Sequence, residues 1–255
     1  MSALPPAYAV NRNFPACPRS AFCMDRHYLL YARAGTMRLE HGRQQWSLPP
    51  ARAALIRADT TVWVTITHPL SACSVLFSTD AYGEPPAQLS VFDMTPLARE
   101  LVLACRGWGP DDTPQPAMAA QLFATLAAVA WDQSTRPSVA MMPLGTSRPV
   151  IDALSHTEAG LGSALSFDAV ASHVALTPRT LSRRFAAELG LSWGQALRRM
   201  RMIRAAETLA MTDAQVTGIA LDVGYASISA FNAAFHDFTG KSPSAWREEI
   251  RLRQF

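Results

Sequence analysis

The 255-residue sequence has almost no lysine: Lys241 stands alone among 23 basic residues, the rest being arginine. The formal net charge is only +3, too mild to announce a polyanion partner, so any electrostatic argument has to be local. Cysteine is scarce too. Cys17, Cys23, Cys73 and Cys105 form no Cys-x-x-Cys pair, which excludes a disulfide scaffold and reads as reduced, mostly buried thiols. No apolar run approaches the roughly 18 residues of a membrane span. The opening MSALPPAYAVNRNF has no stretch of signal-peptide length, so a cytoplasmic chain with no membrane partner is expected. His27, His41 and His68 are widely spaced, with no His-x-His; a metal-binding barrel would lack its ligands, and neither metal nor cofactor is expected. No Ser-His-Asp grouping emerges from the spacing, and Asp111-Asp112, in a proline-rich loop, reads as a turn rather than a catalytic pair. Nucleotide-type glycine loops, heptads and low-complexity tracts are absent.

What is present is a globular composition, 49% hydrophobic and 17% charged, in a length that suits one or two domains with cores of their own. Two textures follow one another. From Arg26 to Asp80 come short runs rich in β-branched and aromatic residues, HYLLYARAG, TMRLEHG, QQWSLPP, RAALIRAD, TTVWVTITHP and SACSVLFSTD, punctuated by Gly, Pro or Asp; such spacing predicts a sandwich or small barrel. EHGR is a hairpin turn and Pro49-Pro50 a corner. After Asp80 the chain turns helical. TPLARELVLACRGWG opens with a Thr cap and a proline at the first helical position. PAMAAQLFATLAAVAWDQ carries Met118, Leu122, Leu126 and Val129 along one side, for packing on the barrel or for a homodimer contact. STRPSVAMMPLGTSRP reads as a linker.

The last third holds an internal duplication. SFDAVASHVALTPRTLSRRFAAELG and VTGIALDVGYASISAFNAAFHDFTG both read as helix, tight turn, helix, glycine. Ser166, Thr177 and Ser227 are caps, with Asp168 beside the first helix's positive end. Gly224 supplies the second turn, and Gly190 and Gly240 are left-handed ends. Placing Phe185 on Phe235 brings Leu181 onto Phe231, and the second buried stripe is Phe231, Phe235 and Phe238. Between the units SWGQALRRMRMIRAAETLA begins with capping-box spacing at Ser192 and Gln195 and reads as one continuous helix. Two helix-turn-helix units held at fixed separation suit successive major grooves of double-stranded DNA, roughly 34 Å apart. Arg179, Ser182 and Arg183 face away from the Leu181/Phe185 stripe, where base contacts would lie, and arginine is the preferred bidentate partner of guanine. Arg184, nearer the flank, serves a phosphate or pairs with Glu188. Arg198, Arg199, Arg201 and Arg204 of the joining helix are read mostly as solvated or internally paired, with one or two near the DNA backbone.

LSRRF, then Arg201, Ala205 and Leu209, and above all IALDVGYASISAFNAAFHDFTGKSPSAWR resemble the AraC/XylS family of bacterial transcription regulators over about the last hundred residues. The resemblance implies an α+β chain: a β-rich, cupin-like sensor domain (1–90), a helical segment and linker with a dimerisation role (91–147) and a DNA-binding domain with two helix-turn-helix units (148–255). It implies base contacts from Arg179, Ser182 and Arg183, and from Ile228, Ser229, Asn232 and Ala233. The phosphate candidates it adds are His236, Lys241, Arg247 and the helix starting at Pro243. The chain departs from the commoner pattern at Ala233, where many members carry arginine, and at His236-Asp237, where many carry a basic pair. The first unit is therefore expected to do most of the base discrimination. It further implies a small-molecule effector and contact with RNA polymerase; a barrel can enclose a pocket lined by inward side chains, and His27, Tyr31, Arg33, Trp46 and Trp63 are the candidates for that lining. Two rivals stand beside this reading: a cupin-like enzyme with a helical oligomerisation tail, and a non-specific architectural DNA binder.

Overall fold

The computed structural model describes residues 4–50, 52–112, 114–138 and 140–254; residues 1–3, Val139 in the expected linker and Phe255 lie outside them. The chain is α+β and divides into two compact units, Met1–His41 with Trp46–Ser138 and Ile250–Phe255, and Gly42–Gln45 with Val139–Glu249.

The strands of the N-terminal half are β1 (Ala7–Phe14), β2 (Cys17–Phe22), β3 (His27–His41), β4 (Gln44–Leu48), β5 (Arg52–Ile56), β6 (Val62–Phe77) and β7 (Leu89–Asp93). β1 and β2 pair antiparallel with successive halves of β6, β6 pairs along β3, and β5 lies between β3 and β7. This differs from the strand pattern expected of the sequence. HYLLYARAG and TMRLEHG are one 15-residue strand, and TTVWVTITHP and SACSVLFSTD are one of 16 residues. Gly35 and Pro69, read as punctuation, lie where these long strands face each other. Gly35 has φ +82°, and a Cβ there would sit 2.0 Å from the Pro69 carbonyl oxygen. The ladder slips register around it, between Ala32 and Met37. The two residues bend a continuous ladder rather than end it. β1, β2 and β7 escaped the pattern. In β1 and β2 the exposed residues, such as Asn11, Arg12, Pro18 and Arg19, dilute the apolar alternation that marks a strand.

Alternation gives the sheet two apolar faces. Leu29, Tyr31, Leu55, Cys73, Val75 and Phe77 point into one core with helices α1 (Pro96–Cys105) and α2 (Ala117–Ser134). Thr95 caps α1 by accepting from the Ala98 N–H, with Pro96 in the first turn as expected. Gln133 of α2 donates to that same Thr95 hydroxyl at 2.7 Å, tying the two helices together. α2 packs through Ala119, Phe123, Leu126, Ala127 and Ala130. Of the expected stripe only Leu126 is fully inside; Leu122 and Val129 lie at its edge, and Met118 is 65% exposed. The alanines allow a close approach that a larger side chain would prevent, so the buried face is rotated from the one marked by the largest residues. The Asp111-Asp112 segment is a turn, with the Gly109 N–H donating to the Asp112 carboxylate at 2.6 Å.

In the second unit a short strand, β8 (Met141–Pro143), interrupts the expected linker. The helices are α3 (Arg148–Ala159), α4 (Phe167–His173), α5 (Pro178–Leu189), α6 (Trp193–Met211), α7 (Val216–Asp222), α8 (Ile228–Thr239) and α9 (Pro243–Gln254). Among the described residues no helix is long and apolar enough to cross a membrane.

Candidate nucleic-acid interface

Both helix-turn-helix units are built by local signals. Ser166 caps α4 by accepting from the Ala169 N–H, Thr177 caps α5 from Thr180, and Ser227 caps α8 from Ala230. Gly190 and Gly240 end α5 and α8 with φ of 67° and 75°, a conformation that costs an L-residue with a Cβ about 1–2 kcal/mol. The inner turns are equivalent: Leu176 N–H bonds to Ala171 O, as Tyr225 N–H bonds to Ala220 O. In the second turn Gly224 takes the left-handed position, but in the first Ala175 does, with φ 53°. Ser192 and Gln195 make both arms of a capping box on α6, whose 19 residues give about 28 Å of spacer.

Val150, Leu154, Val170, Leu181, Phe185 and Leu189 form the core of the first unit. The opposite face of α5 is outside: Arg179, Ser182 and Arg183 are exposed and Arg184 is half-buried. Glu188, the expected partner of Arg184, is engaged elsewhere. Its carboxylate accepts from the Thr146 N–H (2.7 Å) and hydroxyl (3.0 Å) and from the Ser147 N–H (2.8 Å) and hydroxyl (2.5 Å). Ser147 is the N-cap of α3 and makes no side-chain cap bond of its own, so Glu188 caps α3 from another helix. Burial works to raise the Glu188 pKa, but these four bonds outweigh it and hold the carboxyl at about 2. The i,i+4 spacing to Arg184 suggested a weaker exposed pair; only the fold brings Thr146 and Ser147 within reach.

In the second unit Phe231 and Phe235 are fully buried, and Tyr225, Phe231, Phe235 and Trp246 form a chain of ring contacts. Phe238, expected in the stripe, is half-buried and lies under the Arg199 guanidinium at 5.7 Å. Ile228, Ser229, Asn232, Ala233 and His236 are exposed together on α8. Lys241 is ion-paired with Glu249, and Arg247 donates to the Ala214 carbonyl at 2.6 Å. The arginines of α6 also have protein partners: Arg198 pairs with Asp237 at 2.8 Å, Arg204 with Glu158 and Glu207, each at 3.4 Å, and Arg199 donates to Met141 O. Arg201 donates to Leu161 O at 3.2 Å and backs the Gly224 turn, where a Cβ would meet both that oxygen and the guanidinium. Among the described residues of the helical unit, then, the guanidinium-rich face for which no ion pair is seen is that of α5.

The five sensor candidates do not converge. Tyr31 and Arg33 line one cleft of about 340 Å³ with Ser71, Arg99 and Arg106. His27 is buried, with its Nδ1 accepting from the Ala58 N–H and its ring against Trp131; burial foremost lowers its pKa. Trp46 is buried, and Trp63 is 39% exposed under the Arg19 guanidinium. Arg99 and Arg106, on and just after α1, line the cleft of Tyr31 and Arg33 as well; nothing in their own sequence context distinguishes them from solvated arginines.

Residues 170–249 match a family described as a helix-turn-helix domain. The HTH-type transcriptional activator AarP of Providencia stuartii is 37% identical over 90 residues, 35% of this chain and 67% of that protein. The HTH-type transcriptional regulator YfiF of Bacillus subtilis is 34% identical over 106 residues, and the regulatory protein PocR of Salmonella typhimurium 33% over 98; these cover 41% and 38% of this chain. The chain spans about a third of the length of those two relatives, 33% and 32%. Among solved structures, the C-terminal domain of AraT, a response regulator from Geobacillus stearothermophilus, is 33% identical over 40% of this chain and 85% of that one, with a TM-score of 0.39.

Proposed function

The chain belongs to the AraC/XylS family of helix-turn-helix regulators, and from that membership we propose that it is a sequence-specific, double-stranded-DNA-binding transcription regulator of the cytoplasm, without enzymatic activity. The observation that carries this reading is the distribution of arginine in the helical unit. Arg198, Arg199, Arg201 and Arg204 of α6 and Arg247 of α9 have protein partners within the unit, whereas Arg179 and Arg183, with Ser182, are exposed on a helix pinned by its core and by Glu188. A guanidinium carried on an anchored helix and not engaged in an ion pair suits bidentate reading of guanine O6 and N7.

The second helix presents no guanidinium. Ile228, Ser229, Asn232 and Ala233 offer apolar contact to thymine methyls and at most an amide and a hydroxyl, so the first unit supplies most base discrimination and the second adds register. Of the phosphate candidates, Arg184 and His236 fit best; Lys241 and Arg247 would first have to leave Glu249 and Ala214 O. Effector control through the β-rich domain, self-association and contact with RNA polymerase belong to the same reading.

Fluorescence anisotropy with DNA from upstream of the protein's own gene, against scrambled DNA at two salt concentrations, tests it. Expected is a preference of about 10³-fold or more that weakens steeply with salt. Arg183→Ala should cost about 1–3 kcal/mol at one base position and relax specificity there. An equal loss on every sequence would leave only a non-specific DNA binder.

A further inference from the structure

Two recesses among the described residues of the β-rich domain differ in their lining. The cleft of Tyr31, Arg33, Arg99 and Arg106 is polar: Arg33 and Arg106 are exposed, and Arg99 is ion-paired with Glu100. The second is a cavity of about 180 Å³ on the sheet face opposite to α1 and α2. Its walls are Phe14, Phe22, Leu30, Met37, Leu39 and Ile66, among others. The register explains why they meet: Met37 lies opposite Ile66 and Leu39 opposite Val64 across β3 and β6, while Ser20 and Cys17 of β2 lie opposite Val64 and Ile66. The lining carries no charged side chain. The hydroxyl of its tyrosine, Tyr28, is already used, donating to Ser74 Oγ at 2.7 Å. Water in such a space finds few partners, whereas an apolar cavity of about 150 Å³ is known to take benzene.

We propose that this cavity binds a neutral, ring-sized apolar molecule, an aromatic hydrocarbon with at most a short alkyl substituent. The proposal rests on the reading of this domain as a sensor and adds the class of its ligand. An organic anion is disfavoured because no cation lines the walls to replace its lost hydration. A larger, polar ligand such as a sugar would bury hydroxyls against phenylalanine, leucine and methionine.

Cysteine provides the test. Cys17 lines the cavity and is half-buried, Cys23 is exposed and does not line it, and Cys73 and Cys105 are buried, their thiols pushed by burial to about 11 and about 12. Iodoacetamide labelling of the full chain, read by peptide mass spectrometry without DNA, therefore compares a reporter with an internal reference. With toluene in tenfold excess over its Kd, labelling of Cys17 slows about tenfold, while Cys23 is unaffected. Benzoate at the same concentration protects neither. Val64→Phe, which narrows the cavity, abolishes the protection; Ser20→Phe, opposite it on β2, does the same from an exposed position should the first variant fold poorly. Failure of toluene, benzene and ethylbenzene to protect Cys17 overturns the proposal, and protection by benzoate equal to that by toluene overturns its neutral class. Because labelling is read without DNA, its outcome is independent of the DNA-binding reading. Protection of Cys17 with no change in DNA affinity would keep the binding site and overturn its role as a sensor.

Discussion

Glu188 is the residue whose removal best tests how the first helix-turn-helix unit is held. Glu188→Ala takes away the carboxylate that caps α3 through Thr146 and Ser147. Loss of a cap costs typically about 1 kcal/mol, and loss of a negative charge at a helix N-terminus a further 0.3–1 or so, so about 1–2 kcal/mol is expected at pH 7. The carboxylate is partly exposed, and solvent screening keeps the figure at this level rather than at the larger one a shift from 4.5 to about 2 would give undiscounted. The sign follows from linkage. A folded-state pKa below the unfolded one stabilises above pH ~4.5, and that contribution disappears as pH falls toward 2; roughly two fifths of it is gone at pH 3.5. Urea unfolding of the parent and of Glu188→Ala at pH 7 and pH 3.5 should show a gap that narrows with acid, with Glu188→Gln, which keeps one acceptor, in between. Equal stability of parent and Ala variant at pH 7, or a gap identical at both pH values, would refute the capping argument.

Three further outcomes are expected. Ala175→Gly should stabilise by about 0.5–1 kcal/mol, because the left-handed turn at φ 53° is strained for alanine, less the entropy glycine adds to the unfolded chain; a lower melting temperature would contradict it. Gly224→Ala should do the reverse, by about 2 kcal/mol or more, since its Cβ would lie 2.6 Å from Leu161 O and 2.4 Å from the Arg201 guanidinium; unchanged denaturant midpoints would count against that packing. Ala233→Arg should change DNA affinity or site preference by about tenfold if α8 faces the groove, measured by anisotropy, and no change would remove that helix from the interface.

Much of the helical unit was legible because its signals are local. A serine accepting from an N–H three residues on, or a glycine in a left-handed cap, acts within one turn, so Ser166, Thr177, Ser192, Ser227, Gly190 and Gly240 declare their roles without any knowledge of the fold. The outward arginines of α5 follow from helical periodicity alone. The left-handed Ala175 was not legible, because the sequence offers no glycine at that turn.

Strand continuity, side-chain partners and cavities are different, since they depend on what the chain meets elsewhere. Gly35 and Pro69 look like strand ends until they are seen opposite each other in one ladder. Glu188 looks like a partner for Arg184 until α3 is placed beside it, and Met118 looks buried until the alanines of α2 prove to be the close contacts. By itself the sequence determined the duplicated helix-turn-helix units, their caps and the exposed face of α5, since each arises from residues within a few positions of one another. Only the tertiary structure decided which carboxylate caps α3, which arginines of the helical unit are held by protein partners and where the β-rich domain forms an apolar recess. Those properties belong to residues far apart in the chain, and their energies exist only once the fold has brought them together.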